Sequence, residues 1–371
     1  EVGQPGTPAP KGAREAVTRA MATDALGYTV ALGLPGLRAR IARHYGERYG
    51  LDLDPARVVV TPGSSGAFLL AFTALFAFGQ PLTALAATCS CAGAPVLVYL
   101  DTSATEKGQF FISYTAEDHQ INDLVSGSDD VKDETGRDRN TFSHVLSASY
   151  ALTDHWSFSA LVSYVEHSRQ IGTSIFGETT VSGLGDSVLL ARYTPVFMSP
   201  FSRHEVSLGA GIRFPTGEND VSTGFIVSED MQPGTGANGA IAWASYAYAF
   251  DQAATLQFFA SANYVHNEEN DRRYAFGNEF NITSGMSQSL GTRFSWSAAV
   301  RYRNANPDER RGFELPNSGG QWVDFVPAVR FSFTERFAGT VSGRIPLARE
   351  LEGALQFTTS YSYALSLSYG F

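Results

Sequence analysis

In Tyr361–Phe371 every odd position is bulky (Tyr361, Tyr363, Leu365, Leu367, Tyr369, Phe371). Every even position is small or polar (Ser362, Ala364, Ser366, Ser368, Gly370). A period of two with unlike faces predicts a β-strand lying between two different solvents. The pattern recurs over Trp156–Tyr164, Val206–Phe214, Leu256–Tyr264, Phe294–Arg303 and Val323–Phe333. Weaker versions lie at Gln109–Asp118, Thr141–Leu152, Gly183–Tyr193, Ala240–Phe250, Tyr274–Ser284 and Phe337–Ile345. The sum is about 12 strands, an even number within the range of bacterial membrane barrels. Short turns fall at Thr153–His155, Asp251–Ala253, Ser289–Gly291 and Thr334–Arg336. Long polar loops fall near His119–Arg137, Gln170–Thr179, Thr216–Asn238, Asn304–Gly320 and Leu347–Phe357. Short turns at one end and long loops at the other predict a closed antiparallel barrel over residues 108–371, with the bulky face in lipid and both barrel ends on the periplasmic side.

A soluble β-sandwich or propeller also alternates. Against it, the small-residue face carries arginines and carboxylates, which a dry core does not accept unpaired. Aromatics sit at strand ends, as in interfacial girdles, and the sequence closes on one. By parity Asp186, Arg192, Glu205, Arg213, Arg301, Arg303, Asp324, Arg330 and Arg344 are expected to face the lumen. They would either set the selectivity of a pore or form a salt-bridged network filling a narrow barrel.

Composition adds exclusions. The net charge of −10 argues against a nucleic-acid-binding surface. The only two cysteines, Cys89 and Cys91, exclude a disulfide scaffold, and a lone C-x-C lacks the further ligands of a closed metal site. The acidic group Asp129, Asp130, Asp133 and Glu134 does not have EF-hand spacing and reads as a solvated loop. No metal site is expected. No Ser-His-Asp or paired-carboxylate arrangement stands out, so no catalytic residue is assigned. No run of 18 apolar residues predicts a membrane helix. Gly66–Gly79 suits either a buried core helix or the apolar region of a signal peptide, and Ala84-Leu85-Ala86 follows it as an A-x-A cleavage signal. Ala86-Ala87-Thr88 before Cys89 lacks the small residue that a lipoprotein site has next to its cysteine.

The ending Tyr369-Gly370-Phe371 resembles the C-terminal signal of outer-membrane proteins, which implies recognition by the barrel-assembly machinery through Tyr369 and Phe371. Leu152-Thr153-Asp154-His155-Trp156-Ser157 and Gly183-Leu184-Gly185-Asp186, leading to Leu190-Ala191-Arg192-Tyr193, resemble the outer-membrane transporters named for the meta pathway of phenol degradation. Cys89-Ser90-Cys91-Ala92-Gly93-Ala94-Pro95 resembles the mature start of some of them. The resemblance covers about residues 87–371 and implies passage of small, often hydrophobic molecules.

Residues 1–78 read differently. Helices are expected over Lys11–Met21 and after Gly33-Leu34-Pro35, the second with Leu37, Ile41, Ala42 and Tyr45 on one face. Val58–Val60 reads as a short buried strand, followed by the turn Thr61-Pro62-Gly63-Ser64-Ser65-Gly66 and an apolar helix. Such a turn at a helix start can hold a phosphate. Gly3-Gln4-Pro5, Gly27-Tyr28-Thr29, Gly33, Leu37-Arg38, Ile41-Ala42, Tyr45, Val58–Thr61 and Gly63-Ser64-Ser65 resemble the start of fold-type I aminotransferases dependent on pyridoxal phosphate. The resemblance implies cofactor-phosphate contacts from Tyr28, Gly63, Ser64 and Ser65, expected here to be vestigial. The family's Schiff-base lysine, pyridine-nitrogen aspartate and substrate arginine lie far downstream, where this chain is barrel. Lys107 and Lys132 are the only lysines after Lys11.

The chain is therefore read as mainly β. A truncated α/β fragment (1–78) comes first. It overlaps a candidate internal signal peptide (67–86), and a periplasmic segment (87–107) and the barrel (108–371) follow. The fragment ahead of an internal signal, in a chain starting at Glu1, suggests a fused reading frame. A bacterial outer-membrane barrel passing small, hydrophobic solutes passively is expected, in contact with outer-membrane lipid and lipopolysaccharide, with no nucleic-acid partner and no cofactor. The other readings are a pyridoxal phosphate enzyme represented by an inactive fragment, and a structural or plugged barrel.

Overall fold

The computed structural model describes residues 7–23, 30–61, 63, 66–68, 70, 107–134, 136–171, 178–199, 202–222 and 228–371. The chain divides into two units, Glu1–Leu82 and Thr83–Phe371.

In the first unit α1 (Lys11–Thr23) and α2 (Pro35–Tyr49) form where periodicity and proline placement put them. Gly50, at φ 67°, ends α2 in the left-handed conformation that a glycine adopts without strain. Val58–Val60, expected as a strand, is not one: Val60 N–H instead donates to the Leu32 carbonyl at 3.0 Å. A strand needs a neighbour to pair with, and this unit has none among its described residues. The apolar face of α2 lacks a cover for the same reason. Ala42 is buried, but Leu37 and Tyr45 are 46% and 42% exposed. Cys89, Cys91, the cleavage signal and most of Gly66–Gly79 lie outside the described residues.

The second unit is a closed barrel of 12 antiparallel strands. They are β1 (Phe110–Gln120), β2 (Arg137–Ala151), β3 (Trp156–Ile171), β4 (Glu178–Leu184 and Ser187–Val196), β5 (His204–Phe214) and β6 (Gly239–Ala249). Then follow β7 (Leu256–Asn267), β8 (Glu279–Leu290), β9 (Phe294–Ala305), β10 (Gly320–Ser332), β11 (Phe337–Leu351) and β12 (Tyr361–Gly370). Each pairs with its neighbours, and β12 pairs with β1 in the register Tyr369↔Ile112 and Ser362↔His119, which closes the ring. Closure leaves no ladder edge for lipid to meet.

The alternation sorts as two solvents require. On β12 Tyr363 and Leu365 are 53% and 49% exposed, whereas Ser362 and Ala364 are 4% and 7%. Aromatic contacts rim the short-turn end: Trp156 with Tyr193 at 4.9 Å, Phe333 with Phe337 at 5.1 Å, and Tyr369 with Phe371 at 4.8 Å between ring centres. Several boundaries move. The expected strand Tyr274–Ser284 is two elements, a short Tyr274–Ala275 pairing and β8 from Glu279 to Leu290. Gly183–Tyr193 breaks at Gly185-Asp186, where the inward parity changes from odd (Val181, Gly183) to even (Val188, Leu190). A turn between Val196 and His204 had no clear signal in the sequence.

Long loops fold into two small sheets at the opposite end. Asp123–Ser126 pairs with Asp129–Val131 and Gln356–Thr358, and Glu309–Arg310 pairs with Tyr274–Ala275 and Phe313–Glu314. Part of the acidic loop is thereby structured, with Asp130 2.7 Å from Arg349.

The two-solvent arrangement makes a direct prediction. Val341 is exposed on β11 near mid-height, and a buried charge on the lipid face costs about 2–4 kcal/mol. Val341→Arg should destabilise the barrel by that amount in urea unfolding from phospholipid vesicles, and Ser342→Asn, on the other face, distinctly less. Equal costs would show that the two faces are not lipid and lumen.

Candidate functional site

The inward face of the barrel is the candidate site. Its charges occur in cross-strand pairs. Arg192 Nη2 donates to Glu205 at 2.9 Å and to Ser207 Oγ at 2.9 Å. Arg213 Nε lies 3.6 Å from Asp186, and Arg213 Nη2 donates to Asn267 at 2.9 Å. Arg301 faces Asp324 at 4.0 Å and donates to Asn281 at 2.7 Å. Arg303 donates to Glu279 at 2.9 Å with its guanidinium 4.5 Å over the Trp322 ring. Arg344 reaches Glu117 at 3.3 Å, and His119 Nε2 lies 2.8 Å from the same carboxylate. Arg330 lines a cavity of about 180 Å³ at the short-turn rim with Phe111, Ser332 and Arg336. Glu117, His119 and Glu279 were not picked out from the sequence. Each sits at an inward parity position of its strand, a signal that was available.

An apolar cluster shares the lumen with these pairs, and the Arg192 guanidinium lies 5.8 Å from the centre of its Trp243 ring. Val145 of β2, Leu161 of β3, Val188 and Leu190 of β4, and Ile241 and Trp243 of β6 form one buried cluster, with Val265 of β7 packed against it. All are inward positions. Two glycines of β5 make room for the cluster. A Cβ on Gly209 would sit 2.0 Å from Trp243 Nε1, and one on Gly211 would sit 2.3 Å from Leu190 Cδ2. Sequence reasoning took the inward face as small and polar throughout and missed this stripe. Val188-Leu189-Leu190, apolar on both parities, was the legible sign of a strand buried on two faces.

The loop between β5 and β6 does not stay outside. Glu229–Met231 forms a 3-10 turn, and Glu229, Asp230, Met231, Gln232, Thr235 and Ala237 are all buried. Arg139 Nη1 of β2 donates to Asp230 at 2.5 Å, with side chains 0% and 1% exposed. Burial alone would push the Asp230 carboxyl up, but Arg139, Arg169 and Arg137 outweigh it and hold it below the usual aspartate value. Glu229 takes Arg272 at 2.5 Å and Arg310 at 3.5 Å from the neighbouring loops. Thr235 N–H donates to Asp186 at 3.0 Å. The segment thus narrows the outer half of the lumen and is tied to the wall at both ends. Nothing in its polar, proline- and glycine-containing text signalled burial.

Of the residues carried over from the aminotransferase resemblance, Tyr28, Ser64 and Ser65 lie outside the described residues. Gly63 has φ 82° and its N–H donates to Thr61 O at 2.8 Å. Among the described residues no group of three or more His, Cys, Asp and Glu side chains could hold a metal.

A closed, lipid-facing barrel with ion pairs and an apolar cluster in its lumen and loops folded over one mouth defines a bacterial outer-membrane β-barrel of the channel type. Residues 161–354, just over half of the chain, match the family described as "Putative MetA-pathway of phenol degradation", and the chain belongs to that family. An outer-membrane channel from Pseudomonas putida F1 shares the fold, with TM-score 0.60 and 13% identity over 73% of this chain and 98% of that one. Residues making up about a fifth of the chain are similar to other proteins. Over 78 residues they are 50% identical to a valine–pyruvate aminotransferase of Mycobacterium tuberculosis, covering 21% of this chain and 20% of that protein. Over 79 residues they are 33% identical to an aspartate aminotransferase of Pyrococcus horikoshii, covering 21% of this chain and 20% of that protein. The chain therefore spans about a fifth of the length of the curated relatives it matches.

The Gly209–Trp243 contact is testable. Gly209→Ala forces the indole to move and should destabilise by about 1–3 kcal/mol, the usual cost of overpacking. Gly343→Ala, whose nearest neighbour would be 3.7 Å away, should be close to neutral in the same unfolding assay. Equal stabilities would mean that Trp243 does not lie against β5.

Proposed function

We propose that the barrel is a passive channel for small apolar or amphipathic molecules. The observation that carries this reading is the apolar stripe from Val145 to Trp243, placed inside the lumen where a water-filled pore for sugars or ions has no use for it. The arginine–carboxylate pairs are mutually neutralised, so their first role is to satisfy one another between neighbouring strands rather than to select ions. Asp186, Arg192, Glu205, Arg213, Arg301, Arg303, Asp324 and Arg344 belong to that scaffold, and Arg330 lines the rim cavity apart from it.

The test is uptake of radiolabelled toluene by cells with an intact lipopolysaccharide layer. Expression of the barrel should raise uptake several-fold, Ile241→Asp should abolish the gain, and sucrose entry should stay at background. The buried segment Glu229–Ala237 favours a second reading, a plugged barrel without transport. Toluene uptake equal to that of control cells would establish that reading instead.

The barrel's partners follow from its place in the membrane: lipid and lipopolysaccharide around the aromatic face, and the assembly machinery at Tyr369 and Phe371. Residues 67–86 act as a cleavable signal, 87–107 as a periplasmic segment, and 1–78 contribute no chemistry to the barrel. The aminotransferase-like residues have no transaminase role, because the lysine region of that family is replaced by barrel. Mixing the full chain with pyridoxal phosphate should give no absorbance band that depends on Lys107 or Lys132; a band lost on Lys107→Ala would contradict this.

A further inference from the structure

We infer that the outer mouth of the lumen is a site for the anionic head group of an amphiphile, and that Asp230 of the in-folded segment occupies it as an internal stand-in. The inference rests on the reading of the lumen as a path for apolar solutes and names the solute class.

Three arginines converge there. Arg139 of β2 lies directly opposite Arg169 of β3 in the strand register, and Arg137 precedes Arg139 on the same inward face. One lumen carboxylate answers them. Asp230 accepts from Arg139 Nη1, and its backbone carbonyl accepts from Arg139 Nη2 at 2.5 Å. Asp133, in the loop above, accepts from the Arg137 backbone N–H at 2.7 Å. Arg137 is 8% exposed and lies 4.3 Å over the Phe357 ring, yet its Nε and Nη2 have no acceptor, nor does Arg139 Nε. No ion pair of Arg137 or Arg169 occurs among the described residues. The other charges nearby are already matched: Glu117 with Arg344 and His119, Glu229 with Arg272 and Arg310. Buried guanidinium donors without acceptors are costly, and a carboxylate or phosphate ester would satisfy several at once.

What lies below the arginines selects the class of anion. On β3 the inward positions descend from Arg169 through His167 to Val165 and Leu161, and on β2 from Arg139 through Thr141 and Ser143 to Val145. At 3.3 Å per residue, Val165 is roughly 13 Å below Arg169 and Val145 roughly 20 Å below Arg139. Val165 thus lies about one extended alkyl chain beneath the positive mouth, and the apolar stripe begins deeper, at Val145. A small hydrophilic anion would fill only the upper half, and a neutral hydrocarbon only the lower. A head group displacing Asp230 would also release the segment's hold on β2, so that ligand entry and loop opening are one exchange of carboxylates.

The test is saturable binding of radiolabelled laurate to the full-length protein in nanodiscs, with heat-modifiable gel mobility confirming that each variant is folded. Arg137→Gln and Arg169→Gln should each weaken laurate at least tenfold, and Asp230→Asn should tighten it several-fold by removing the competitor. Dodecanol should be indifferent to all three changes, and inorganic phosphate or acetate should not displace laurate at matched concentration. Laurate binding that ignores the arginines, or that weakens in Asp230→Asn as a purely structural pair would require, overturns the inference. So does displacement by phosphate alone, which would identify a site for free anions. If toluene uptake persists in such a case, the channel reading stands and only the head-group site falls.

Discussion

Hydrocarbon offers a peptide group nothing to bond with, and every other feature of the second unit follows from meeting that condition. The Tyr369↔Ile112 register between the last and first strands turns an open sheet into a ring without edges. Once the ring is closed at 12 strands its interior is narrow, and each inward side chain must find a partner within reach across it. The lumen solves this in two ways. Charges meet charges on neighbouring strands, as Arg303 meets Glu279, and apolar side chains meet one another, as Leu190 and Trp243 do. The in-folded loop completes the filling by carrying its own carboxylates to arginines that would otherwise be buried alone.

This arrangement lets ion pairs and apolar side chains share one cavity. The ion pairs are held by rigid strands, so removing one partner would leave a desolvated charge at a cost of about 3–5 kcal/mol. The apolar stripe carries no such penalty.

The strands were legible because their information is local. Tyr361–Phe371 shows its two faces in a run of adjacent residues, and lipid on one face keeps the pattern clean. What failed was everything set by distant partners. Arg139 and Asp230 are 91 residues apart, and nothing near either one announces the other. The inward apolar stripe was masked because its members occur one or two per strand among serines and glycines, and only the ring brings them together. Tyr274-Ala275-Phe276 looked like the start of a strand because it is aromatic, but its side chains form the core of a loop cap, with Tyr274 Oη donating to Asp308 at 2.6 Å. The N-terminal unit makes the same point in reverse. Its helices, encoded locally, form; Val58–Val60, which needs neighbouring strands, does not.

The account turns on which face of each strand meets lipid, and four native tryptophans divide the question evenly. Trp156 and Trp296 take the outward parity, while Trp243 and Trp322 are inward and only 7% and 8% exposed. The most direct measurement is quenching by brominated phospholipid of four variants that each keep one tryptophan. Strong quenching of Trp156 and Trp296, with Trp243 and Trp322 unaffected, is the expected result. Quenching of Trp243 as strong as that of Trp156 would place the apolar stripe in the bilayer and contradict its lumen-facing position.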